Sequence, residues 1–330
     1  MRSGIALIAL LLVCGMAAGE ERALPPLRPL RTVPLPGVEG RFDHFAADVK
    51  GGRLFLAALG NDTLEVLDVR AGKRLRSVRG LREPQGVAFA PELGHLFVGN
   101  GEGGTCDTLD AASFARAGPV TGLEDADNVR YDAAAKQVWV GYGRGGLCAL
   151  DAATGRRVGA VPLAAHPESF QLETSGPRIW VNVPGAEQVA VVDRARRKLL
   201  ATWRLRGAGA NFPMALDEAH HRLLVGCRRP ARLLVLDTET GRQVASAEIA
   251  GDTDDLFYDA ARKRVYIAGG EGFITVLEQR DPDHYALLAR ILTAPGARTA
   301  YWVPAWNQLF VAVPHRGSQP AEVRVFTAPP

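Results

Sequence analysis

Residues 96–100 read Leu-Phe-Val-Gly-Asn, a short apolar stretch closed by two turn-forming residues. Versions of it begin at Leu54 (LFLAA), Val138 (VWVGY), Ile179 (IWVNV), Leu223 (LLVGC), Val265 (VYIAG) and Leu309 (LFVAV), at spacings of 41 to 44 residues. Apolar runs this short, rich in β-branched and aromatic residues and bounded by turn signals, read as buried strands. A second segment follows in step. It reads VLDVRAGKRL, TLDAASFARA, ALDAATGRRV, VVDRARRKLL and VLDTETGRQV, with its aspartate at Asp68, Asp110, Asp151, Asp193 and Asp237. Asp-x-x-x-Gly closes a tight turn, because the carboxylate bonds downstream backbone and glycine accepts positive φ.

Each repeat therefore offers four strands: an inner one, the LFV strand, the VLD strand and an outer basic one such as Lys73–Val78. A period near 42 residues with four strands is the mark of a propeller blade. One blade cannot bury both of its faces, so blades must stack around an axis. The prediction is an all-β, seven-bladed β-propeller with four antiparallel strands per blade. The seventh repeat runs from Ala297 to Pro330 and ends after its third strand, VRVFT. The spare strand is at the other end. Leu30 to Val38, within residues 20–40, resembles the outer strands, and is expected to complete blade seven and close the ring. That closure removes two open sheet edges. Residues 20–330 are thus read as one domain.

The chain has 330 residues, 47% hydrophobic and 23% charged, with 36 glycines and 21 prolines at regular intervals. These proportions are those of a globular protein. A net charge of +3 is too weak to argue for nucleic acid by itself. At the N-terminus, Met1-Arg2, the apolar run Ile5–Val13 and Ala17-Ala18-Gly19 read as a secretory signal peptide over residues 1–19. Val13 stands before Cys14 where a lipobox needs a small residue, so cleavage without lipidation is expected. The apolar run is too short for a stable membrane anchor, and no other stretch is apolar enough to span a bilayer. A periplasmic or secreted monomer follows. Cys106, Cys148 and Cys227 then remain, an odd number without zinc or haem spacing, and are read as buried, inert thiols.

Candidate site residues come from one register position. Eleven residues before each LFV-type start the chain reads Asp43, Gln85, Asp127, Glu168, Phe212, Asp254 and Arg298. The next position reads His44, Gly86, Asn128, Ser169, Pro213, Asp255 and Thr299. Both should lie where the chain enters the inner strands, at one mouth of the central channel. Asn211 and His166 fall beside them, and His315 is expected to reach the same face from a loop of blade seven. Clustered carboxylates need a compensating charge, from a cation, a cationic ligand or Arg298. Oxygen donors of this kind suit Ca²⁺ or Mg²⁺, with Asp127, Glu168 and Asp254 as metal candidates. The alternative is a structural ring whose acids accept bonds from nearby amides. Arg228, Arg229 and Arg232 could meet an anion or form a solvated loop. Gly103-Gly104 and Gly145-Gly146 close hairpins, since no helix and no Lys-Ser/Thr follows them.

Phe-Val-Gly-Asn at 97–100, with its glycine-rich turn and Val-x-Asp-type strands, resembles the YVTN repeat. The whole mature chain is similar to the YncE-like, YVTN-repeat propellers, although no repeat spells out the tetrapeptide. The resemblance implies an exported bacterial seven-bladed propeller, WD40-like in blade plan. It also implies a binding role, DNA binding included, more than catalysis. Three readings follow. The first is a binding or interaction scaffold that uses the channel mouth for a small molecule or protein. The second is a metal-assisted lyase or lactonase in which His44, His166 or His315 moves the proton. No catalytic motif is complete, and no Gly-x-Ser-x-Gly elbow occurs. DNA binding is the third.

Overall fold

The computed structural model describes residues 25–329; residues 1–19, expected to be a signal peptide, and Cys14 within them lie outside the described residues. Seven sheets follow one another along the chain and are arranged around a central channel. Blade one is typical. Its strands Phe45–Asp48, Arg53–Ala58, Thr63–Asp68 and Lys73–Arg79 pair antiparallel in sequence order, from the channel outward. Six sheets have four strands. In blade two the ladder stops at three, and the fourth position is held by two isolated bridges, Cys106 to Val120 and Leu109 to Arg116. Gly118 and Pro119 fall in that segment, and proline has no N–H to offer a ladder.

The VLD turns form as the sequence predicts. Asp68 Oδ1 accepts the Ala71 amide at 2.8 Å, and Gly72 turns back with φ +62°. The N-terminal strand closes the ring as expected, over Arg28–Pro34. It pairs antiparallel with Glu322–Thr327, placing Val33 opposite Val323 as the outermost strand of blade seven.

The core lies between blades. Seven apolar clusters fill the gaps between neighbouring sheets. Trp139, Trp180, Tyr266 and Phe310 each plug a different gap and are almost fully buried. Each fully buried large side chain contributes roughly 1.5–3 kcal/mol by leaving water. Leu27 and Leu35 flank the closing strand and enter two of these gaps, so the clasp is hydrophobic as well as hydrogen-bonded. On the face away from the ring, arginines tie adjacent blades. Arg53 Nη1 donates to Ala111 O at 2.7 Å and Arg178 Nη1 to Thr238 O at 3.1 Å. The basic run Arg194, Arg196, Arg197 and Lys198 belongs partly to this system, because Arg194 Nε lies 3.0 Å from Asp132 of the neighbouring blade. Cys106, Cys148 and Cys227 are unpaired and buried. Burial raises all three thiols, Cys227 to about 12. Among the described residues no helix is long and apolar enough to cross a membrane.

Candidate functional site at the channel mouth

A repeated irregularity positions the ring. In blade three the Asp127 amide donates to Gly141 O at 2.9 Å, while Asn128 O accepts the Gly141 amide, also at 2.9 Å. Asp43 and His44 make the same pair of bonds with Ala57, and Glu168 and Ser169 make it with Asn182. In blades two, five and six the register shifts at the equivalent point, between Pro84 and Val87, Asn211 and Met214, and Thr253 and Asp255. A bulge re-aims side chains out of the sheet's alternation. Here it directs successive residues into the mouth. Gly86 lets neighbouring blades meet: a Cβ there would lie 1.9 Å from Asp127 O.

His44 is the hub. Its Nε2 lies 3.7 Å from Asp43 Oδ1 and 3.7 Å from Asp127 Oδ1, and its Nδ1 lies 3.6 Å from Asp255 Oδ1. All four residues are buried. Burial works against the charged ring, but the three carboxylates outweigh it and push the His44 pKa up to about 10. Burial, joined by the charges of Asp127 and Asp254, pushes Asp43 up to about 7. Asp255 is held in place by the Ala300 amide of the next blade, 2.8 Å from its Oδ2.

Asp127 is shared. Its Oδ2 lies 3.6 Å from His166 Nε2, whose Nδ1 donates to Gly143 O at 2.7 Å. Despite burial, Asp127 stays below the usual carboxylate range because His166 and His44 face it. His166 is pushed up to about 9 against its own burial, by Asp127, the Gly143 carbonyl and Asp125. Both histidines are therefore imidazolium at neutral pH, and neither is an available base. His315 does not join them: it sits on the rim, 2.7 Å from Glu39. Of the three histidines offered as alternative proton carriers, His44 and His166 share Asp127, and His315 stands apart.

Opposite this group, Asp254 lies between two guanidinium groups. Arg228 donates to its Oδ1, and Arg298 Nε lies 2.8 Å from its Oδ2. Burial is the largest influence on Asp254 and leaves it raised, against the pull of Arg298 and Arg228. Arg228 also stacks 3.5 Å from the Phe212 ring centroid. It is thus turned inward as part of the ring, apart from exposed Arg229 and from Arg232, which bonds Ser246. Gln85 bonds Asp125 at 2.9 Å. Asn128 accepts Arg130 Nη2 at 3.0 Å. Asn211 is withdrawn from the mouth, fully buried between blades four and five against Asn182 and Gln188 O.

Glu168 differs from the rest. It is only partly buried, and among the described residues its carboxyl has no hydrogen-bond or ion-pair partner. Burial, then the charges of Asp127 and Asp254, push it up to about 9. Its oxygen, His166 and Asp127 bring ligand atoms within 4.8 Å of one another, as do Asp43, His44 and Asp127.

Sequence reasoning missed a second tier. Asp125 and Asp252 stand two residues before their ring positions, as His166 does. Asp252 Oδ1 lies 2.9 Å from Arg298 Nη1, and Asp125 Oδ2 lies 3.7 Å from His166 Nδ1. The position is left-handed in several blades, with Glu83 at φ +48°, Asp125 at +50°, Ala210 at +54° and Asp252 at +50°. Aligning the repeats two residues further upstream would have exposed it.

No family model and no curated protein matches the chain. Solved structures do. The RRP9 WD40 repeats superpose with a TM-score of 0.79 at 11% identity, covering 92% of this chain and 99% of that one. A chain of the Mitotic Checkpoint Complex gives 0.77 at 13% identity, with 98% and 99% covered. Hydrazine synthase of Kuenenia stuttgartiensis gives 0.74 at 14%, with 84% and 95% covered. The fold is a β-propeller. At these identities the likeness extends to the fold alone.

Proposed function

We propose that the protein is an exported, monomeric binding protein of the YncE-like, YVTN-repeat kind, which anchors its ligand by a cationic group at the channel mouth. The observation that carries this reading is Glu168, a partly exposed carboxyl that has no partner among the described residues, in a ring where the other acids are compensated. His44 serves Asp43, Asp127 and Asp255, while Arg228 and Arg298 serve Asp254. Raised to about 9, Glu168 holds a proton at neutral pH that an arriving cation displaces. Asp127 and His166 stand within reach of the same ion. Export is supported by the pattern of residues 1–19 and by the family resemblance.

The test is a thermal-shift series with Ca²⁺, Mg²⁺ and Mn²⁺ on chelator-treated protein and on Glu168→Gln. At least one ion should raise Tm in the parent and lose most of that effect in the variant. No shift with any ion, or equal shifts in both proteins, would remove the cation as anchoring group.

A further inference from the structure

On the far side of His44 lies a cavity of about 410 Å³, lined by inner-strand residues of six blades. This is the size of an ordinary small-molecule site. Its wall is mixed, with Phe45, Phe257 and Tyr301 forming one aromatic side. Phe45 and Tyr301 stack with centroids 6.2 Å apart, and Phe257 meets Tyr301 edge-on at 5.9 Å. His44 and Asp255 are shared with the mouth, while Asp43, Asp127 and Glu168 take no part in the lining.

Its charged groups are His44, Arg130 and Asp255. Asp255 is satisfied by His44 and by the Ala300 amide. Arg130 has no such close partner, and the charges of Asp255 and Asp127 reach it only from beyond ion-pair distance. Its Nη1 donates to Val129 O and its Nη2 to Asn128 Oδ1, both at 3.0 Å. Among the described residues no carboxylate lies within ion-pair distance of it. Arg178, Arg222, Arg262 and Arg298 each hold a carboxylate at 3.1 Å or closer. Burial lowers the Arg130 pKa, but a guanidinium keeps its charge in proteins. The group lies 5.5 Å from the Phe170 ring centroid. A half-buried guanidinium with N–H groups to spare binds carboxylates through paired bonds.

We infer that this cavity is a second binding site, for a small monocarboxylate with an aromatic or aliphatic body. The carboxylate takes the N–H groups that Arg130 does not spend on Val129 and Asn128. The body lies against Phe45, Phe257 and Tyr301. An ammonium ligand meets two cations and one carboxylate that is already engaged, and a neutral ligand leaves Arg130 without a directly paired carboxylate.

Calorimetry with phenylacetate, phenylacetamide and 2-phenylethylamine tests this, since the three share one body and differ in charge. Phenylacetate should bind, with the amide and the amine at least about tenfold weaker, a difference of about 1.4 kcal/mol. Arg130→Gln should cost phenylacetate a similar factor, and Phe257→Ala should weaken it by removing part of the wall. The parent protein alone decides the matter if either variant fails to fold. Amide binding as tight as phenylacetate, or no heat from phenylacetate at about 10 mM, would overturn the inference. None of the probes is a metal ion, so the outcome is independent of the cation reading of the mouth.

Discussion

Nδ1 of His44 faces Oδ1 of Asp255 across 3.6 Å, while Nε2 of the same ring faces Asp43 and Asp127 at 3.7 Å each. One imidazolium thus stands among three buried carboxylates drawn from blades one, three and six. Like charges gathered out of water demand compensation. The fold supplies most of it internally, from His44, His166, Arg228 and Arg298.

His44→Gln should therefore destabilise the protein by about 3–5 kcal/mol, as does removal of one partner from a buried ion pair. Urea denaturation measures it. Asp255→Asn in the same chain should recover part of the loss, because one orphaned charge disappears. A single-variant cost below about 1 kcal/mol would show that the carboxylates do not depend on His44.

Stability should fall with rising pH. His44, His166, Asp43 and Glu168 all hold protons more tightly when folded, with values of about 10, 9, 7 and 9 against ordinary values of 6.5, 6.5, 3.8 and 4.5. The stability they lend is complete below the ordinary values and is lost as pH climbs through the folded ones. Asp127, held low, acts oppositely and loses its contribution only as pH drops below the usual carboxylate range. Tm should decline steadily between about pH 7 and about pH 10, and His44→Gln should flatten the decline. A parent Tm that is level or rising over that range would contradict these proton affinities.

Much of this was legible in the sequence, and the limits have physical causes. The seven LFV strands showed because each must fill an inter-blade gap, and the Leu54 to Leu309 series therefore repeats in kind. The ring register showed because one bulge recurs in every blade that carries an acid there. Asn211 could not be separated from the ring by spacing. Its side chain turns toward Asn182, and period alone does not fix direction at a bulge. The fourth strand of blade two pairs through only two bridges, because Ala115–Val120 carries Gly118 and Pro119. Arg130 was invisible, since its distinction is the lack of a carboxylate that only the assembled ring could have provided.

Gly86→Ala should cost about 1–3 kcal/mol, the usual range for forcing atoms into a packed site. The added methyl would press on Asp127 O at 1.9 Å and on Val129 N at 2.7 Å. Chemical denaturation gives the figure. A neutral result would mean that blades two and three separate readily at the mouth.

Removal of residues 25–34 should lower Tm and expose the edge Glu322–Thr327, which that strand covers. A synthetic peptide of the same residues, added in excess, should restore part of the loss. An unchanged Tm after truncation would show that the clasp contributes nothing to ring closure.

The cation reading of the mouth is tested most directly by calorimetric titration of Ca²⁺, Mg²⁺ or Mn²⁺ at pH 7 in two buffers of different ionisation enthalpy. Binding that displaces the Glu168 proton releases about one proton per ion, more if Asp43 and His166 contribute, so the observed enthalpy changes with the buffer. Binding with no buffer dependence, or no binding by any of the three ions, would contradict it.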